Sequence, residues 1–309
     1  MIDERLRHLE SIRGYIDKVL FPAIRYNGPY TVKPATAGVN SYVYFLEAPS
    51  LDHLVLRGET NKSSLLRRIR GHEIMLRHGF DVPEIVYQDL SPIVRQKFGF
   101  YFLVESKMPG VFFNDEANDP DITGARLGEV LARMHEFTSW RYGRPGEWRW
   151  WGNIVTVLQL GWEMRSLLKD YKKSNDISSK VIAKWLRKNF FCTRFLRPRL
   201  TTGGYIPSNV LVDKDRVVII DLAKVRYAFA ARDIAQVHYS LFRNDPKAIS
   251  AFSRAYRQHA SKTLLKEIDK TLPMLKILFI LQKALREKNM IKRAELDQEL
   301  LRYSKAYGR

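Results

Sequence analysis

Residues 200–221 read L-T-T-G-G-Y-I-P-S-N-V-L-V-D-K-D-R-V-V-I-I-D. The two apolar runs Val210-Leu-Val212 and Val217-Val-Ile-Ile220 flank the polar turn Asp213-Lys-Asp-Arg216, a pattern that predicts a β-hairpin. Asn209 opens the first strand and Asp221 ends the second. A carboxylate placed directly after a run of β-branched residues sits at the mouth of a buried strand, where an unpaired charge is costly. Asp221 therefore calls for a metal, a cation or backbone N–H partners, with a turn cap as the plainer alternative.

Working outward, residues 1–26 place Leu6, Leu9, Ile12, Ile16, Val19 and Leu20 at helical spacing, and Asn27-Gly28-Pro29 stops the helix. Two β-type runs follow, Ser41–Leu46 and His53–Leu56, then a helix over about Ser63–His78 closed by Gly79. Glu84–Tyr87 and Phe98–Val104 predict two further strands. Beyond Pro109-Gly110 the pattern turns helical: Ala125–His135, Val155–Lys173, Ile177–Asn189 and much of 246–307, interrupted by the hairpin. The expected class is α+β and bilobal. A helical extension (1–29) precedes a lobe with a small antiparallel β-sheet and one helix (30–108). A larger helical lobe (109–309) carries the hairpin and a Trp/Arg-rich insertion at 138–200.

The chain has 309 residues, 52 Lys and Arg against 33 Asp and Glu, a formal charge of +19 and a pI near 9.9. So large an excess favours an anionic partner: a phosphorylated small molecule, a glycolipid, a membrane surface or, less well, nucleic acid. Cys192 is the single cysteine, which excludes a disulfide framework and a Cys-rich metal site and fits a reducing compartment. The charged N-terminus differs from a secretory signal, and no apolar run approaches the roughly 20 residues that span a bilayer. The expectation is a cytoplasmic protein, with a peripheral place at the inner face of a membrane as the variant.

Phosphoryl transfer needs a cation for the phosphates, oxygen ligands for Mg²⁺ and a group that orients the acceptor hydroxyl. Arg57, ending Val55-Leu-Arg57, supplies a cation at a strand end, and Glu73 on the following helix is the carboxylate expected to pair with it. Unrelated surface charges are the alternative. Asn209 and Asp221 are the candidate metal ligands.

The order of these parts resembles the aminoglycoside phosphotransferase and choline kinase-like branch of the protein-kinase fold. That family's loop reads H-G-D-x-x-x-x-N, followed by a strand ending in I-D-[FLW]; this chain has Thr202-Gly203-Gly204-Tyr-Ile-Pro-Ser-Asn209 and Ile220-Asp221-Leu222. Gly38–Tyr44 is similar to the nucleotide-covering turn, Gly79–Pro83 to the segment after the helix, and Leu103–Gly110 to the hinge. Leu127–His135 resembles the L-A-x-x-H helix. Ile220–Arg226 with Ala231–Ala235 is nearest to the lipopolysaccharide core kinases, where the match to Asp233 braces the loop. The resemblance implies ATP and Mg²⁺ as cofactors, with Gly38, Ser41, Arg57, Glu73 and Glu105 on the nucleotide side.

Two positions depart from the family's loop: Thr202 stands for His, and Gly204 for the Asp that orients the hydroxyl. Loss of a positioned base costs about 10² to 10⁴ in rate. Tyr205, Thr201, Thr202 and Ser208 are poor bases near neutral pH. Three readings stand at this stage: a divergent phosphotransferase-like protein with impaired or altered transfer to a saccharide, glycolipid or other small molecule; a pseudokinase scaffold; and an active sugar kinase with its base elsewhere.

All six tryptophans, Trp140, Trp148, Trp150, Trp151, Trp162 and Trp185, fall among Arg141, Arg144, Arg149, Arg165, Lys169, Lys184, Arg187 and their basic neighbours. Aromatic faces beside cations stack on sugars and bases or lie at a membrane interface. Packing of the rings between helices is the alternative.

Overall fold

The computed structural model describes residues 8–35, 42–49, 51–113, 119–144, 153–172, 176–193, 196–214 and 216–307. The chain divides into two compact units, one of Met1–Phe113 with Ser208–Val225, the other of Asn114–Pro207 with Arg226–Arg309. The hairpin, placed on sequence in the helical lobe, groups with the sheet.

In the first unit, β1 (Thr31–Pro34), β2 (Tyr42–Ala48), β3 (Leu51–Glu59), β4 (Ile85–Asp89) and β5 (Tyr101–Ser106) form an antiparallel sheet in the order β1-β2-β3-β5-β4. α1 (Leu9–Tyr15) passes through a π-helical turn, Ile16–Leu20, into α2 (Phe21–Ile24). The apolar stripe of this segment, Ile12, Tyr15, Ile16, Leu20 and Phe21, is buried with Tyr44, Leu56 and Phe102 of the sheet. Tyr15 stacks on Phe102 with ring centroids 3.6 Å apart. The segment expected as an extension thus supplies one side of the sheet's core, because a stripe of periodic apolar residues needs a partner surface.

α3 (Lys62–Arg77) starts where the Asn61 side chain accepts from Ser63 N. Gly79, at φ +72°, turns the chain away after it. α4 (Pro92–Phe98) replaces the front of the strand expected at Phe98. Ser91 caps it, Pro92 occupies its first turn, and Gly99 in the left-handed region ends it, so the strand begins only at Tyr101. β6 (Val111–Phe112) pairs with β8 (Val210–Asp213), which pairs with β9 (Arg216–Ile219), the hairpin expected from residues 210–220.

The second unit is mostly helical. α5 (Pro120–Glu136) packs along α9 (Pro246–His259), and α10 (Lys262–Arg286) packs against α8 (Ala230–Gln236) and α11 (Met290–Tyr307). α6 (Asn153–Lys172) and α7 (Asp176–Asn189) fill the insertion, and β7 (Arg199–Thr201) pairs with β10 (Arg226–Ala228). No helix among the described residues is long and apolar enough to cross a membrane.

Candidate active-site residues

In the sheet unit, six chemistry-bearing side chains meet: Arg57, Arg68, His72, Glu105, Asn209 and Asp221. Arg57 on β3 lies opposite Leu103 of β5, two residues from Glu105, so the two side chains share a face diagonally across the ladder. Arg57 Nε donates to Glu105 Oε2 at 2.5 Å. His72 of α3 brings Nε2 to 2.8 Å from Glu105 Oε1, while its Nδ1 is 3.0 Å from the carbonyl oxygen of Pro83. Each ring nitrogen thus has an acceptor oxygen close by. Burial alone would raise the Glu105 pKa, but Arg57, the His72 hydrogen bond and Arg68 hold it well below the usual carboxylate range. Burial likewise works against the Arg57 charge, and Glu105 more than offsets it.

The partner of Arg57 is thus Glu105, the residue placed on sequence at the hinge, and not Glu73. Glu73 lies on the exposed side of α3, one residue beyond His72, which takes the buried direction. The sequence carried a signal for this. The stripe Leu65, Arg68, Ile69, His72, Met75 follows i, i+3, i+4, i+7 spacing, and all five are buried. An arginine and a histidine within an apolar stripe need buried partners.

Those partners are the two carboxylates. Arg68 Nη2 sits 3.0 Å from Asp221 Oδ1, and Asn209 Nδ2 donates to Asp221 Oδ2 at 3.4 Å. Ala223 N–H also reaches Oδ1 at 3.4 Å, so Asp221 caps the short 3₁₀ turn Leu222–Lys224 as well. Burial would raise the Asp221 pKa; Arg68, then Arg57, outweigh it and keep the group ionised. Arg68 is 4% exposed, yet its Nε and Nη1 have no hydrogen-bond partner among the described residues. This close approach of α3 to the Asp221 turn requires Gly71, where a Cβ would lie 2.2 Å from Leu222 O.

Asn209 and Asp221 therefore come together, as expected, but in company that does not fit a magnesium ion. Both carboxylate oxygens face donors, the nearest cation is a guanidinium, and no group of three or more His, Cys, Asp or Glu suited to a metal occurs among the described residues. Arg68 Nε and Nη1 are buried donors left unpaired, among the described residues, beside Asp221. Gly38 and Ser41, expected over the nucleotide, lie outside the described residues.

The helical unit carries the loop 201–207. Asp233 accepts from Thr202 N at 3.0 Å, Gly203 N at 3.2 Å and the Tyr205 hydroxyl at 2.9 Å, while His135 Nε2 stands 3.6 Å away. Gly203 has φ +58°, which favours glycine, whereas Gly204 is buried with an ordinary backbone. Burial, with the charge of Asp233, pushes the Tyr205 pKa far up, so this hydroxyl is a donor and not a base.

The tryptophans divide. Trp185 is 6% exposed and packs in the core, whereas Trp140 is 88% and Trp162 76% exposed. The Arg197 guanidinium lies 5.4 Å from the Trp140 ring centroid. Arg165 and Lys169 are exposed three and seven positions along α6 from Trp162. Arg199 is structural: it is buried and bonds Glu267 Oε2 at 2.7 Å and His135 O at 2.8 Å. Trp148, Trp150 and Trp151 lie outside the described residues.

The sequence model of the APH phosphotransferase enzyme family matches residues 31–266. Among solved structures, the chain is similar to a GDP complex of a point mutant of aminoglycoside 2'-phosphotransferase-IIIa, at 16% identity, TM-score 0.62 and 97% coverage of each chain. It is also similar to macrolide 2'-phosphotransferase MphH from Brachybacterium faecium, at 16% identity and TM-score 0.57, covering 92% of this chain and 98% of that one. A thermostable mutant of aminoglycoside phosphotransferase APH(4)-Ia, in ternary complex with AMP-PNP and hygromycin B, matches at 13% identity and TM-score 0.60, covering 95% of each chain. At these identities the likeness establishes the kinase-like fold. No curated protein sequence matches.

Proposed function

The chain belongs to the phosphotransferase enzyme family, and on that premise we propose that it is a divergent member that binds ATP through the Arg57–Asp221 cluster and transfers phosphoryl groups poorly. The acceptor class is the hydroxyl of a saccharide, glycolipid or other small molecule. One observation carries this reading: Asp233 braces the loop through Thr202, Gly203 and Tyr205, while the position that would orient the acceptor is the buried Gly204. The loop keeps its support and lacks its carboxylate. Tyr205, next in line, spends its proton on Asp233.

The test is turnover of γ-labelled ATP, with and without Mg²⁺, by wild type and Gly204→Asp. The backbone at 204 admits a side-chain-bearing residue. Wild type is expected to leave the label on ATP, and the variant to raise release by about 10² to 10⁴. Wild-type turnover at the ~1–100 s⁻¹ usual for kinases overturns the impaired-transfer reading.

A second reading, favoured by the exposed Trp140 beneath Arg197, is a binding protein for an anionic glycolipid or membrane surface. Salt-sensitive retention on anionic liposomes that Trp140→Ala abolishes supports it; no retention by wild type removes it.

A further inference from the structure

Asp221 stands at the end of β9 with a guanidinium where a metal-binding carboxylate needs open oxygens. Arg68 reaches it from α3 at 3.0 Å, and the whole side chain is buried, at 5% exposure. A guanidinium cannot give up its proton to make room. Swinging it away would strand a buried cation without its partner, which is strongly unfavourable. A divalent ion at Asp221 would also face two guanidiniums, Arg68 and Arg57, both of which act electrostatically on this carboxylate. Each guanidinium repels a cation placed at the carboxylate, and the repulsion doubles for a dication.

The same guanidinium is under-used. Nη2 serves Asp221, while Nε and Nη1 have no hydrogen-bond partner among the described residues, although buried polar hydrogens are nearly always paired. Arginine offers a planar fork that matches phosphate oxygens in pairs. Arg57, 12% exposed and fixed by Glu105, supplies a second positive charge beside it. The cluster combines fixed positive charge with unpaired N–H donors, both of which a polyphosphate requires.

We propose that Arg68 takes the place of a divalent cation at Asp221, so that this cluster holds the phosphates of a nucleoside polyphosphate free of metal. The proposal rests on the nucleotide-binding reading above. It makes Asp221 an anchor for Arg68, where the sequence expectation made it a metal ligand. Asn209 then steadies the other carboxylate oxygen.

Thermal shift of the full chain with ATP and with ADP, each in EDTA and in Mg²⁺, is the direct test. The expected result is a shift in EDTA at least as large as that in Mg²⁺. A shift that appears only with Mg²⁺ overturns the proposal and leaves the nucleotide-binding reading intact. No shift under either condition overturns both. Arg68→Met frees Asp221, and its nucleotide-dependent shift is expected to become dependent on Mg²⁺. A shift in that variant as metal-independent as in wild type counts against Arg68. Should Arg68→Met fail to fold, Mn²⁺ binding to wild type, followed by electron paramagnetic resonance, gives the second readout. No bound Mn²⁺ at one equivalent is expected, and stoichiometric Mn²⁺ that Asp221→Asn releases refutes the idea.

Discussion

The Tyr205 hydroxyl donates to Asp233 Oδ2 at 2.9 Å, in a setting where both groups are buried. The same oxygen accepts from Thr202 N, so one carboxylate ties the loop's backbone and its largest side chain together. Tyr205→Phe keeps the ring and removes one of these bonds. It should destabilise by about 1–3 kcal/mol, the usual cost of leaving a buried charged acceptor short of a donor. Chemical denaturation of both proteins measures it. ATP turnover should not increase, because the hydroxyl is a strut; an increase would show that it blocks the site.

Glu105 sets an acid dependence. In the folded chain its carboxyl is held well below the usual range, against the opposing effect of burial, by Arg57 and His72. Unfolded glutamate titrates near about 4.3. Below that value the unfolded state takes up a proton that the folded state refuses, so stability falls as pH falls. Glu105→Gln should cost about 3–5 kcal/mol near neutral pH, since it leaves Arg57 and His72 buried beside a neutral amide. The gap between wild type and variant should narrow as urea titrations move from about pH 6 toward pH 3. A gap constant across that range would place the stabilising charge elsewhere.

Why Glu105 was not found from the sequence as the partner of Arg57 is a matter of register. The hairpin at 210–220 is legible because its strands, turn and flanking Asn209 and Asp221 are contiguous. Arg57 and Glu105 are 48 residues apart, and they meet only because β3 lies between β2 and β5, an ordering that no local pattern encodes. Glu73 was the one carboxylate on the following helix, but helical periodicity leaves it exposed, off the buried stripe. Phe98-Gly-Phe-Tyr-Phe reads as one apolar strand until the Ser91-Pro92 start and the left-handed Gly99 are given weight. The carboxylate missing at 204 was plain from the resemblance to the family's H-G-D-x-x-x-x-N loop. The Arg68–Asp221 pair was not, because it depends on how closely α3 approaches the turn after β9.

That approach is tested at Gly71. A methyl group there would sit 2.2 Å from Leu222 O, a backbone atom fixed by the Asp221 cap. Helix α3 must move away or the turn must break, and either motion separates Arg68 from Asp221. Gly71→Ala should destabilise by about 1–3 kcal/mol, as overpacking does, despite alanine's better helix propensity. It should also remove the nucleotide-dependent thermal shift. Gly14→Ala, whose nearest neighbour would be a side-chain carbon of Phe98 at 3.6 Å, serves as the control and should be close to neutral. Equal behaviour of the two variants would mean that the α3 contact is slack.

Lys276 predicts a stabilising substitution. It lies within α10, and burial pushes its pKa down to about 8, against the attraction of Glu299. Below about pH 8 the ammonium is charged in both states and the folded state bears the desolvation. Between about 8 and the unfolded value near about 10.4, the unfolded chain binds the extra proton, so stability rises with pH. Lys276→Met keeps the length and removes the charge. It should raise stability near neutral pH by about 1–2 kcal/mol and abolish the alkaline rise in the window from pH 8 to 10. His238, pushed down to about 3 by burial and by Lys276, should titrate at higher pH in the variant. Denaturation midpoints at pH 7 and pH 10, with the His238 ring followed by NMR, measure all three effects. A variant less stable than wild type at pH 7 would mean that the ammonium contributes more through Glu299 than its burial costs.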